Sequence, residues 1–161
     1  MRRLALLIFM AACLVLVLAA SPAGATSGTL PITSNTLLTE DHHGQIVIAA
    51  DNITLDCGGH QIIGAGWNPV AQTGDFAGVS LWGRAGVTVK NCHVTSGFKV
   101  GFFVWSSPNN TLQNNSSSGN QSEGFALASS PNNTGNTLIG NTASDNGWSG
   151  FAVYDGCPTR R

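Results

Sequence analysis

Two short runs hold the residues best equipped for chemistry: Cys57-Gly58-Gly59-His60 and Cys92-His93. Thiolate with imidazole is a donor set for copper(I) or zinc. Cys57, His60, Cys92 and His93 are therefore candidate ligands for Cu or Zn; no other cofactor is indicated. The same cysteines suit a Cys57–Cys92 disulfide in an oxidising compartment, or two small buried side chains. All three readings are open at this level. His42-His43 adds imidazoles, although adjacent histidines near a chain end are ordinarily solvated. Once the leader described below is removed no Met remains, which weighs against a copper carrier.

Catalysis by carboxylates needs two or three of them converging on one bond. Asp51 and Asp56 read as turn residues. Asp75 lies in a loop, and Glu123 and Asp155 flank different strands. No pair stands out, so no residue is assigned a catalytic role. Aromatic residues recur more regularly. Four positions after the glycines Gly78, Gly101, Gly124 and Gly150 come Trp82, Trp105, Ala128 and Tyr154, with Phe103 near by. Exposed rings in a row can stack on sugar faces, and an exposed apolar patch marks an interaction surface. Trp82, Phe103, Trp105 and Tyr154 are thus candidate ligand-binding residues. The competing reading is that the segment 64–77 folds over them, burying Trp67 or Phe76 against the pair.

These positions belong to a repeat. The glycines are 23, 23 and 26 residues apart, and Ser106-Ser107-Pro108-Asn109-Asn110-Thr111 recurs as Ser129-Ser130-Pro131-Asn132-Asn133-Thr134. The extra three residues are placed at Gly135-Asn136-Thr137. Within a unit the apolar residues alternate, as in Phe102 and Val104, Phe125 and Leu127, Phe151 and Val153, which is strand periodicity. Asn, Gly and Ser clusters separate the strands as turns do. The pattern predicts an all-β, single-stranded parallel β-helix of about four to five coils, each of about 23 residues. Phe102, Phe125 and Phe151 should stack inside, and Asn115 should lie above Asn141 in an amide ladder.

Composition agrees. Only 9% of the 161 residues are charged and 42% are hydrophobic, with 20 Gly. That excludes a charged coiled coil, an acidic disordered tail and a basic nucleic-acid binder. Arg2 and Arg3, the apolar run from Leu4 to Ala20 and Ala23-Gly24-Ala25 have the form of an export leader over residues 1–25. Its removal leaves Cys57, Cys92 and Cys157, an odd number of thiols. No apolar run beyond residue 25 is long enough to span a membrane. The expected organisation is a leader at 1–25, an N-terminal cap segment at 26–43, and repeats from 44 to 161 with an excursion at 64–77. The last unit, from Gly150, offers nothing to cap the C-terminal end, so self-association there is expected.

The run Ile46-Val47-Ile48-Ala49-Ala50-Asp51-Asn52-Ile53-Thr54-Leu55-Asp56-Cys57-Gly58-Gly59-His60 resembles the opening coil of bacterial right-handed parallel β-helix repeat proteins. These include the NosD-type periplasmic copper-maturation proteins and the carbohydrate-binding and sugar-hydrolase repeat proteins. The later Gly-Phe units carry the same likeness, which covers roughly residues 35 to 156. The resemblance implies a right-handed, pectin lyase-like solenoid. With the residues above, the expected function is an exported, non-catalytic module, secreted, periplasmic or on the cell surface, that presents a surface to a polysaccharide or a protein partner. An accessory role like that of NosD is included in that expectation. The alternative is the N-terminal part of a β-helix lyase, hydrolase or epimerase.

Overall fold

The computed structural model describes residues 21–23, 27–128 and 132–154. Many of the extended elements are short β-branched or aromatic runs between Gly and Asn turns, such as Ile46–Ile48 and Val100–Trp105. A short strand β1 (Ser21–Ala23) comes first. The first coil is β2 (Leu30–Ile32), β3 (Thr36–Leu38) and β4 (His42–His43); the second is β5 (Ile46–Ile48), β6 (Thr54–Asp56) and β7 (Gln61–Ile63). A hairpin, β8 (Trp67–Asn68) and β9 (Thr73–Gly74), leaves the second coil. The third coil is β10 (Ala77–Trp82), β11 (Thr88–Lys90) and β12 (His93–Val94). The fourth is β13 (Val100–Trp105), β14 (Thr111–Gln113) and β15 (Ser116–Ser118); the fifth is β16 (Glu123–Ala128), β17 (Thr137–Ile139) and β18 (Thr142–Ser144). A sixth begins with β19 (Ser149–Val153).

Successive coils stack into three parallel sheets. The long sheet runs β19-β16-β13-β10-β5-β2; the other two run β1-β3-β6-β11-β14-β17 and β18-β15-β12-β7-β4. The result is a β-solenoid of about five turns. The segment 26–43, expected as a cap, supplies β2, β3 and β4, one to each sheet, and so forms a coil of its own. Within the segment 64–77, β8 and β9 pair as an antiparallel hairpin outside the three parallel sheets. β1 lies inside the segment that leader cleavage would remove, paired with β3. The rest of residues 1–26 lies outside the described residues, as do the second Ser-Ser-Pro and residues 155–161, which include Asp155 and Cys157.

Columns of like residues fill the interior. Ile46, Val79, Phe102, Phe125 and Phe151 share one register, and Leu55, Val89, Leu112 and Leu138 another. Phe102 and Phe125 stack with centroids 4.6 Å apart, and Phe125 and Phe151 at 4.8 Å. Both spacings match the distance of about 4.8 Å between paired strands, so coil stacking itself sets the rings face to face. Burial of each inner ring contributes about 1.5–3 kcal/mol. Phe102 and Phe125 are fully buried, whereas Phe151, in the last described coil, is 48% exposed.

Amide ladders close the corners. Asn115 Oδ1 accepts the Cys92 N–H at 3.0 Å, and Asn141 Oδ1 accepts the Asn115 N–H at 3.0 Å, which confirms the expected pair. Two further ladders were not foreseen, Asn110 with Asn136 and Asn120 with Asn146. Each satisfies turn backbone that the parallel sheets cannot reach. One turn position holds Asn52, Gly86, Asn109 and Gly135, all with positive φ. Only Gly and Asn visit that region cheaply. They alternate because a side chain at Gly86 or Gly135 would collide with the Asn amide of the neighbouring coil.

The extra three residues lie elsewhere than expected. Trp105 pairs with Ala128, a shift of 23, but Ser107 N–H already donates to Asn133 Oδ1 and Thr111 pairs with Thr137. The insertion therefore falls between Ala128 and Asn133, not at 135–137. The second Ser-Ser-Pro-Asn-Asn-Thr copy matches the first as text, while Asn136 rather than Asn133 stacks on Asn110.

Candidate functional site

Side chains alternate in and out along β10, β13 and β16. Val79, Leu81, Phe102 and Val104 enter the core, so Trp82, Phe103 and Trp105 face outward on the long sheet. Trp82 is 59% exposed and Trp105 half-buried. They are register partners on adjacent coils, with ring centroids 5.8 Å apart and planes tilted by 35°.

Phe103 departs from its expected exposure. It is only 9% exposed, because the Phe76 ring from the excursion meets it edge-on at 5.0 Å and Trp67 meets Phe76 edge-on at 5.8 Å. The excursion is tied down. The Lys99 ammonium lies 5.6 Å from the Trp67 ring and 5.5 Å from Phe76. Gln121 Nε2 donates to the Trp67 carbonyl at 2.6 Å, and Val100 N–H to that of Phe76 at 3.0 Å. The loop thus covers Phe103 and leaves Trp82 and part of Trp105 exposed.

Tyr154 continues the same column. Its N–H donates to Leu127 O, which places it beside Ala128, two coils from Trp105. It is 40% exposed, and its hydroxyl donates to Glu123 Oε1. That bond to a carboxylate, aided by burial and by the negative charge, pushes the phenol up to about 12. Glu123 opens β16 and is 5% exposed, in register with Ser149 on one side and one place before Gly124. Ala77 and Val100 occupy the equivalent place in the two preceding coils. A glutamate in a column of buried apolar residues was the signal for it, and sequence reading set it aside as a flanking acid.

Three further carboxylates, Asp51, Asp56 and Asp75, accept backbone N–H groups. Asp51 Oδ1 accepts Ala85 N–H at 3.1 Å, Asp56 Oδ1 accepts Gly58 N–H at 2.9 Å, and Asp75 Oδ2 accepts Ala65 N–H at 2.7 Å. None converges with another. Of the metal candidates, Cys57 and Cys92 are joined in a disulfide with Cα atoms 4.8 Å apart, both fully buried. In that state neither sulfur is a thiolate. His60 Nδ1 lies 3.4 Å from Asp41 Oδ1, and His93 Nδ1 lies 2.6 Å from Ser116 Oγ. Among the described residues no three His, Cys, Asp or Glu side chains gather in a way that could hold a metal ion. His42 is buried, not solvated, with Nε2 3.0 Å from the Gly28 carbonyl.

A family model described as a right handed beta helix region matches residues 24–160. The chain belongs to that right-handed β-helix family. No curated protein and no solved structure gives a significant match. Membership gives the solenoid its hand. It does not assign an activity, because one fold hosts many functions. The outer face of its long sheet carries the aromatic column, with the Glu123–Tyr154 contact beside it. Among the described residues no helix is long and apolar enough to cross a membrane.

Proposed function

We propose that this β-helix is an exported, non-catalytic module whose long sheet binds a glycan on its outer face. The observation that carries the reading is the Trp82–Trp105 pair, two register-aligned rings of which one is 59% exposed. Aromatic side chains left open on a rigid sheet cost solubility, and such patches mark interaction surfaces. Pyranose rings present apolar C–H faces that stack on indoles. The disposition of the acids supports a binding rather than a hydrolytic role: Asp51, Asp56 and Asp75 hold backbone N–H groups, and Glu123 holds Tyr154. A copper accessory role like that of NosD has less support, since the disulfide occupies the two sulfurs that such a site would use.

Affinity electrophoresis of the protein through gels containing soluble polysaccharides tests the proposal. Retardation by at least one glycan, lost in Trp82→Ala, is expected. Unretarded migration through every glycan tried, with capture of a protein ligand through the same tryptophans, would replace the glycan by a protein partner.

A further inference from the structure

The outer column of the long sheet reads Trp82, Trp105, Ala128, Tyr154 along four successive coils. It runs along the solenoid axis and advances by about 4.8 Å per coil. An extended β-1,4-linked pyranose chain advances by a similar distance per sugar, so a chain laid along the axis keeps its rings in step with the coils. The small Ala128 leaves Trp105 and Tyr154 about 9.6 Å apart at the backbone, two strand spacings. Trp82 and Tyr154, the first and last rings of the column, are 59% and 40% exposed.

Charge selects the class of chain. From Val100 to Tyr154 the sequence has no Lys or Arg and only two acids, Glu123 and Asp145. Among the described residues, the two cations nearest the column in sequence are already engaged. Arg84 Nη1 lies 3.7 Å from Asp51 Oδ1 while its Nε donates to the Trp82 carbonyl, and Lys99 stands over Trp67 and Phe76. Among the described residues the cations are Arg84, Lys90 and Lys99, each already engaged, so a uronate or sulfate on this column would have to displace an existing contact to be balanced. Glu123, for its part, fixes the direction of the third ring through the Tyr154 hydroxyl.

We infer that the ligand is an uncharged, extended polysaccharide lying along the solenoid axis over Trp82, Trp105 and Tyr154, with Glu123 as the positioning residue for Tyr154. This rests on the glycan reading above and narrows it. The test compares binding of hydroxyethyl cellulose and polygalacturonate by the protein and by Trp105→Ala, Glu123→Ala and Tyr154→Phe. Tyr154 is the sole tyrosine, so its phenolate absorbance reports Glu123 directly. Hydroxyethyl cellulose should bind and polygalacturonate should not. Trp105→Ala should lose about tenfold or more in affinity, as a central ring does. Glu123→Ala and Tyr154→Phe should each lose several-fold. In Glu123→Ala the phenol midpoint should fall towards the ordinary value of about 10. Polygalacturonate binding as tightly as the cellulose ether would overturn the inference and leave the glycan reading standing. A shifted phenol midpoint with unchanged affinity in Glu123→Ala would remove Glu123 from the site. Binding of neither polysaccharide would overturn this inference, and the glycan reading falls with it only if the wider panel of glycans also gives no retardation.

Discussion

Single residues hold the corners of this solenoid. Asn115 is 1% exposed and ties the fourth coil to the third, accepting from Cys92 N–H and donating to Val89 O, each at 3.0 Å. Asn115→Ala strands a buried N–H and a buried carbonyl. The expected loss is about 2 kcal/mol or more, from a penalty of about 1–3 kcal/mol per orphaned group, read from denaturant unfolding. Asp56 gives a pH dependence. Burial works against its carboxylate, but the Asn91 amide, the Gly58 N–H and the Lys90 ammonium outweigh burial and hold its pKa below the usual value. The unfolded state thus takes up the proton first as pH falls. Asp56 contributes its stability above about pH 4, and the contribution is lost as pH drops through the lower folded value. In Asp56→Asn the unfolding midpoint should fall less steeply on acidification than in the parent. An identical acid limb would show that Asp56 contributes nothing.

At the scale of elements, stacking between coils carries the stability. The disulfide joins the second and third coils across 35 residues of sequence. Replacing both cysteines by alanine should cost about 2–4 kcal/mol. Because both sulfurs are buried, reductant should act only after unfolding is begun by denaturant. Mass spectrometry after alkylation under native and denaturing conditions distinguishes these cases. Alkylation of Cys57 and Cys92 in the native, unreduced protein would refute the bond. The Phe stack is the second such contact. Phe125 lies between Phe102 and Phe151 at 4.6 and 4.8 Å. Phe125→Ala should destabilise by about 3–5 kcal/mol, the usual cost of an emptied aromatic site. Phe151→Ala should cost clearly less, since that ring is half-exposed. Equal losses would mean that another element covers Phe151.

For the whole molecule, the two ends matter. The last two described coils expose Ile139, Trp148, Phe151 and Val153, at 51%, 76%, 48% and 75%. Exposed apolar side chains gathered in one region mark an interaction surface. We expect concentration-dependent association in sedimentation experiments, reduced by Trp148→Ser and Phe151→Ser together. A monomer at tens of micromolar would count against it. At the other end, leader cleavage after Ala25 would remove β1 from β3. Cleavage at that site would leave a chain beginning at Thr26, and N-terminal sequencing that finds Ser21–Ala23 retained would refute it.

Repetition made the fold legible before any coordinates. Alternation within Phe102–Val104 and Phe125–Leu127 marks inward columns, and a period of 23 stacks them, because both are local properties that each coil repeats. The Asn115–Asn141 pair followed from the same count. Contacts that break the repeat were not legible. The excursion packs Phe76 on Phe103, and no periodicity describes a segment that occurs once. The insertion sits where the strand register says, after Ala128, although the textual match placed it later, because hydrogen bonds rather than letters define equivalence. Cys57 and Cys92 were equally suited to sulfur bonding, metal or plain burial, and only their approach to a 4.8 Å Cα separation across two coils selected the disulfide. Glu123 and Tyr154 lie 31 residues apart, and it took the turn into the sixth coil to set the phenol on the carboxylate. Sequence period determines which side chains share a column; the packing of the non-repeating segments decides which of those columns stay open.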